Sequence, residues 1–267
     1  MSEWDFPNAA TPAGSGPYYV VRFSPPAQQA RLARLFAWRA ELAHIVDQAN
    51  DPGVARLKLD WWRDELQRAR AGTARHPLAM ALTPLLRDLP PSDAWWEMLD
   101  AAEQDLQCRV PDDLQAFTAQ CDRLGGALGA LLAGALGGAP DDLPAARQLG
   151  LYHEAVTRLR DLHLLVQRRH CPLPRQLLEA CGLSPEDLHR AAAAPLHQAL
   201  ELTLGPLADQ AAAAARVARR IPALGPARRL AAQADALHRA LRRRGYPVLA
   251  ARIELTPLRL LWRAWRA

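Results

Sequence analysis

Prolines and glycines cut this sequence into lengths over which apolar residues recur at helical spacing, and that pattern leaves room for little but an all-α fold. Ser24-Pro25-Pro26 reads as a helix start: a cap residue, then proline in the first turn, where a missing N–H costs nothing. Leu32, Leu35, Phe36, Ala43 and Val46 then share one stripe. A second helix is expected from Gly53 to Ala71, ended by Gly72-Thr73. A third opens after His76-Pro77, and a fourth follows the stop-and-start signal Pro90-Pro91-Ser92-Asp93. Asp112–Leu136 reads as one long helix whose second half is nearly all Gly, Ala and Leu, small enough for another helix to approach closely. Pro140–Arg169 reads as a central, polar-studded helix, broken by Cys171-Pro172-Leu173-Pro174. Further helices are expected over Pro185–Ala193, Pro195–Arg220 and Pro226–Arg244, and a last one from near Thr256. No run alternates with β-branched enrichment, and neither an internal repeat nor a Gly/Ser linker divides the chain. The expectation is one all-α domain over residues 17–267, a single helical bundle, behind a flexible N-terminal arm at residues 1–16.

Half of the 267 residues are hydrophobic, which excludes a disordered chain. No charge-free apolar run is long enough to span a bilayer. Met1–Gly16 lacks the basic start and apolar stretch of a signal peptide, so a cytoplasmic protein is expected. Cys108, Cys121, Cys171 and Cys181 show no CxxC pairing and read as reduced thiols. The net charge is +5, and Lys58 is the only lysine. Arginine recognises phosphates and carboxylates bidentately, so the composition permits an anionic ligand, an acidic partner or a membrane surface; an ordinary solvated surface is the plainer reading. Nucleic-acid binding is disfavoured, because no basic helix, stacking platform or zinc module organises the arginines.

Two acidic segments invite chemistry. Asp47 shares a helical face with Ala43, Ala40 and Phe36, and a carboxylate there must be paired, bind a cation, or sit where the chain leaves the core. Glu154 and Asp161 lie two turns apart on one face with Thr157 or Arg158 between them, an acidic stripe suited to magnesium but also common on surface helices. His153, His163 and His170 follow no zinc-binding spacing, and GxSxG, P-loop and dinucleotide fingerprints are absent. In each of the pairs Trp61-Trp62 and Trp95-Trp96, one ring is expected in the core and the other over a neighbouring helix. The terminal stripe Leu258, Leu261, Trp262 and Trp265, flanked by Arg259, Arg263 and Arg266, fits an interfacial helix or one that closes the bundle; closure is the preferred reading.

The order of segments resembles the squalene/phytoene synthase family from about Gly16 to Ala267. Pro17-Tyr18-Tyr19-Val20-Val21-Arg22-Phe23 is similar to the family's SFYxxxRF opening, and Leu57–Leu66 to its LxWWRDEL signature. His76-Pro77, the Leu124–Gly129 segment and Leu149-Gly150 through Arg160-Asp161 to Leu173-Pro174 follow in family order. Arg244–Val248, Arg252 and Leu255-Thr256-Pro257 complete it. The resemblance implies an isoprenoid synthase-like bundle around a central cavity. Active members join two prenyl diphosphates head to head with magnesium held by two aspartate-rich motifs. It also implies Tyr19, Arg22, Glu154, Thr157 and Arg160 as substrate-binding residues, Asp47 and Asp161 as catalytic candidates, and Asp47, Asp161 and Glu154 as metal ligands if the protein is active.

The sequence departs from that family in both motifs. Where DDxxD is expected it reads Ala43-His44-Ile45-Val46-Asp47, preceded by Ala40 in place of an arginine. Where RDxxxD is expected it reads Arg160-Asp161-Leu162-His163-Leu164-Leu165, with leucine for the second aspartate. Each motif then offers one carboxylate instead of a chelating pair, with Glu154 and Glu41 as off-position substitutes. Glu41–Asp47 is also similar to a non-catalytic branch of the family that includes the mitochondrial assembly factor for respiratory complex I. The leading expectation is therefore a pseudoenzyme that has lost prenyl transfer. It would bind a prenyl diphosphate, another isoprenoid or a lipid, or serve a protein partner in membrane or respiratory assembly, with peripheral contact at the inner membrane face as an option. The alternative is an active, magnesium-dependent prenyl-diphosphate transferase with a rewired metal site.

Overall fold

Proline at the first turns and polar caps set the helix boundaries. The computed structural model describes residues 2–48, 51–89 and 93–267, and every regular element among them is helical. In chain order these are α1 (Gly16–Arg22), α2 (Pro26–Asp47), α3 (Pro52–Ala71), α4 (Pro77–Asp88) and α5 (Ala94–Leu106). Next come α6 (Leu114–Cys121), α7 (Ala127–Ala135), α8 (Leu143–Arg160), α9 (Leu162–Gln167) and α10 (Arg175–Ala180), and last α11 (Ala193–Ala218), α12 (Gly225–Arg243) and α13 (Pro257–Arg266). Asp51, His76, Asp113 and Thr256 each accept a backbone N–H in the first turn of their helices. Gly72 ends α3 at φ +79°, a conformation that costs glycine nothing. The expected stop-and-start signal at Pro90-Pro91-Ser92 lies outside the described residues.

The expected boundaries need four corrections. Ser24 does not cap α2: its hydroxyl donates to Val20 O of the preceding helix. Asp112–Leu136 is not a single α-helix but α6 and α7 joined by a π turn over Asp122–Gly126. The central helix stops at Arg160, because Asp161 adopts φ −91° and ψ 18° and the chain restarts as α9. Pro185–Ala193 holds only a short 3₁₀ turn, since the Ser184 hydroxyl accepts the Asp187 N–H and donates to its carboxylate, a local bond that competes with a longer helix. Helix α10 carried no sequence signal.

Helix α8 runs through the middle, packed against the π turn, α7, α11 and α12. Two apolar clusters flank it. One is built from α8, α11 and α12; the other from α2 to α5 with α7, centred on Trp38, which meets Trp62 edge-on at 5.1 Å and Trp95 at 6.3 Å. Trp62 and Trp95 are buried, whereas Trp61 is largely exposed and meets His76 edge-on, and the Arg70 guanidinium of α3 lies over Trp96. The small residues do what small residues there should: a Cβ on Gly150 would collide with the Gly125 carbonyl, and one on Gly129 with that of Ala146. The segment before α1 lies along α2, with Asn8 donating to Ala33 O at 3.1 Å and Asp5 paired with Arg34 at 2.8 Å.

The tryptophan-rich segment of α3 proves architectural. Arg63 reaches Asp60, Asp100 and Glu103, tying α3 to α5. Glu65 is fully buried; burial pushes its carboxyl up, but the His76 N–H at 2.7 Å, Arg68 at 2.8 Å and the Arg75 N–H together hold it below the usual range.

Candidate functional site: a cavity mouth of arginine–carboxylate pairs

The end of α2, the end of α8, and α9 converge on a cavity of about 670 Å³. Its apolar side is formed by Leu42, Leu106, Leu124, Leu164 and Leu165, and its polar rim carries Asp47, Asp105, Glu154 and Asp161 together with Arg39, Arg158, Arg160 and Arg168. The segments that stand in place of the two aspartate-rich motifs both line this space. Asp47, Glu154, Thr157, Arg160 and Asp161 all line this one space.

Every acid on the rim is held by a guanidinium. Glu154 accepts two bonds from Arg39 at 3.0 and 3.1 Å, with Arg158 4.0 Å away. Asp105 on α5 takes both arms of Arg158, one at 3.0 Å, and Gln120 at 2.9 Å. Asp161 is bound by its neighbour Arg160 and by Arg252 at 2.7 Å. Asp47 is the last residue of α2, exposed, and paired at 2.6 Å with Arg168, the residue that follows α9. It has therefore left the core, and it is also paired. Burial alone would raise the carboxyls of Asp105, Glu154 and Asp161, yet the facing arginines lower all three. Burial presses His153 down to about 4, so it is neutral at pH 7.

This donor set does not fit magnesium. A hard cation of this size needs converging carboxylate oxygens with little competition, and here those oxygens already face guanidinium groups. Among the described residues no three His, Cys, Asp or Glu side chains converge as a metal would require. Thr157 turns its hydroxyl back to His153 O at 2.8 Å, as a helix side chain does. Glu41 lies outside the cavity, in a groove with His44, Lys58 and Trp61. Tyr19 and Arg22 do not line the cavity either: Tyr19 is buried in α1 and Arg22 is exposed.

Sequence reasoning did not assign Arg39, Asp105, Arg168 or Arg252 to the site, and it placed Arg158 on the acidic stripe without its pairing to Asp105. Arg39 carried a signal, standing one position before Ala40, and a one-residue step on a helix turns a side chain by about 100°. Arg168 carried none and Arg252 only its place in the family order, because their partners lie far away in the chain.

A family model described as squalene/phytoene synthase matches residues 11–266. Phytoene synthase 3, chloroplastic, from Zea mays is 25% identical over 64% of this chain and 42% of its own length. The bifunctional protein CrtB/UppS of Streptomyces coelicolor is 30% identical over 60% of this chain and 29% of its own. The chain thus matches less than half the length of either relative. Squalene synthase HpnC from Alicyclobacillus acidocaldarius superposes with a TM-score of 0.72 at 21% identity, covering 85% of this chain and 88% of that one. A dehydrosqualene synthase solved with a ligand gives 0.73 at 17% identity, covering 94% and 90%. These likenesses establish the fold.

Proposed function

Because the chain belongs to the squalene/phytoene synthase family, we propose that it is a member which has lost head-to-head prenyl transfer and keeps its cavity as a metal-independent site for an isoprenoid or related lipid. The supporting observation is the pairing of each rim carboxylate with arginine. Ionising an allylic diphosphate requires cations that neutralise the leaving group, and carboxylates neutralised by guanidinium groups cannot hold them. The four rim arginines are balanced by four acids, so the rim is close to neutral. The apolar side then supplies binding energy for a hydrocarbon tail, roughly 25 cal/mol per Å² of apolar surface covered. The assembly role of the non-catalytic branch is the form this reading takes if the cavity serves a protein partner instead of a small molecule.

Calorimetry with a non-hydrolysable farnesyl diphosphate analogue, with and without magnesium, tests it. Binding that magnesium does not strengthen, with no squalene- or phytoene-type product from farnesyl or geranylgeranyl diphosphate, is the expected result. Binding strictly dependent on magnesium, accompanied by turnover, overturns it. A second reading, the transferase with a rewired site, draws on the convergence of Asp47, Glu154 and Asp161 on one cavity. It requires that Asp161→Ala abolish magnesium-dependent binding.

A further inference from the structure

Helix α13 does not close the bundle with its apolar stripe. Ala264 is its buried residue, and Arg263 anchors the same side, donating to Ala232 O at 3.1 Å and pairing with Asp235 of α12. The stripe faces outward instead. Leu258 is 78% exposed, Leu261 38%, Trp262 45% and Trp265 68%. Leaving two indoles and two leucines in water on one face of a ten-residue helix is unfavourable unless something covers them. The physical reason for the inversion is the anchor: Arg263 finds a carboxylate on α12, and that fixes the helix's rotation.

The surroundings are strongly basic. Helix α13 carries Arg259, Arg263 and Arg266 and no acid, and the Arg266 guanidinium lies 5.0 Å from the Trp262 ring centre. Beside it, between α8, α11, α12 and α13, lies a second cavity of about 700 Å³, separate from the one at the end of α2. Six arginines line it, Arg216, Arg219, Arg228, Arg239, Arg263 and Arg266, against one acid, Asp235. Asp235 is already taken by Arg239 and Arg263. Among the described residues no carboxylate pairs with Arg216, Arg219, Arg228 or Arg266, and the Nε of Arg228 is buried without a partner. Burial and the nearby Arg219 both press the Arg228 guanidinium toward its neutral form, a strain that an anion in the cavity relieves.

We propose that the outward face of α13 and the arginines beside it form a docking surface for an anionic bilayer, the indoles and leucines entering the headgroup boundary while the arginine-lined cavity receives a lipid phosphate. The charge favours this occupant over a second copy of the chain, because a symmetric pairing would set one arginine cluster against another. Indoles between guanidinium groups match a layer that is apolar below and negatively charged above. No helix among the described residues is long and apolar enough to cross a membrane, so the contact lies on the surface.

Co-sedimentation of the full chain with vesicles of phosphatidylcholine, and of phosphatidylcholine with phosphatidylglycerol in equal parts, tests the proposal. The chain is expected to bind the anionic vesicles only. The double substitution Trp262→Ser/Trp265→Ser should weaken that binding about tenfold or more, and Arg259→Glu/Arg266→Glu should abolish it. Both variants leave Ala264 and Arg263 in place, and circular dichroism and binding of the farnesyl analogue at the other cavity report whether the fold is kept. Absence of vesicle binding overturns the proposal, as does binding unchanged by the tryptophan substitutions. So do two other results: inorganic phosphate bound in calorimetry without vesicle binding, and a wild-type dimer in sedimentation that the tryptophan variant dissolves.

Discussion

Glu154 has only guanidinium partners, and its behaviour depends on keeping them. Arg39→Ala leaves its carboxylate buried with Arg158 4.0 Å away as the remaining cation, and should destabilise the fold by about 3 kcal/mol in urea titration. Glu154→Gln, which removes the charge and keeps the shape, should cost less. The acid side of the pH profile follows from the same residues. His153 is lowered from 6.5 to about 4 in the folded chain, so unfolding takes up a proton as pH falls between those values. The carboxyls of Glu65, Asp105, Glu154 and Asp161 are lowered as well, so their stabilisation is complete above the ordinary carboxylate range and is lost as pH falls below it. Thermal melts should therefore decline gently from about pH 6.5 and steeply below about pH 4. His153→Gln should make the gentle part shallower, with His170 and His238, whose imidazoles burial also lowers, supplying the rest. The sequence made Glu154 and Asp161 visible as a stripe at helical spacing. It hid their partners, because an ion pair between helices leaves no local periodicity.

At the scale of elements, the contact between the π turn, α7 and α8 is made of backbone. Gly150→Ala would drive a methyl into the Gly125 carbonyl, and neither backbone can yield without separating the helices. The expected loss is about 3 kcal/mol, read as a shift in urea midpoint at unchanged slope. A second link, between α8 and α12, is a buried polar chain. Tyr152 donates to His238 Nδ1 at 2.9 Å, His238 Nε2 donates to Tyr246 at 2.7 Å, and Tyr246 donates to Glu201 of α11 at 3.0 Å. Tyr246→Phe strands the imidazole N–H and should cost about 2 kcal/mol in the same titration. Helix existence was legible wherever apolar spacing and proline agreed, as in α3, α4 and α13. It was not legible where a single residue decided. Asp161 ends α8 because its carboxylate turns to Arg160 and Arg252, and Ser184 diverts the chain before α11 by bonding its own neighbour.

At the scale of the molecule, the fold was readable from the sequence because the order of many segments carried it; the cavity's chemistry was less so, because substitutions show what is gone and not what replaced it. The ends of α2 and α8 were nameable from the family motifs, whereas the arginines between them pair across helices and leave no local pattern. Removing divalent ions should leave the melting temperature unchanged, since the rim's charges neutralise one another; a chelator-induced drop in differential scanning calorimetry would contradict that. The outward stripe of α13 was legible as a pattern but not as a direction, because a helix of apolar and arginine residues reads the same whichever side is tied down. The Asp47–Arg168 pair has a kinetic consequence. It ties the end of α2 to the residue that follows α9, yet both side chains are exposed, so it holds by only about 0–1 kcal/mol. On the lipid-binding reading proposed above, a tie this weak opens too readily to limit entry or exit, so added salt should change neither rate appreciably.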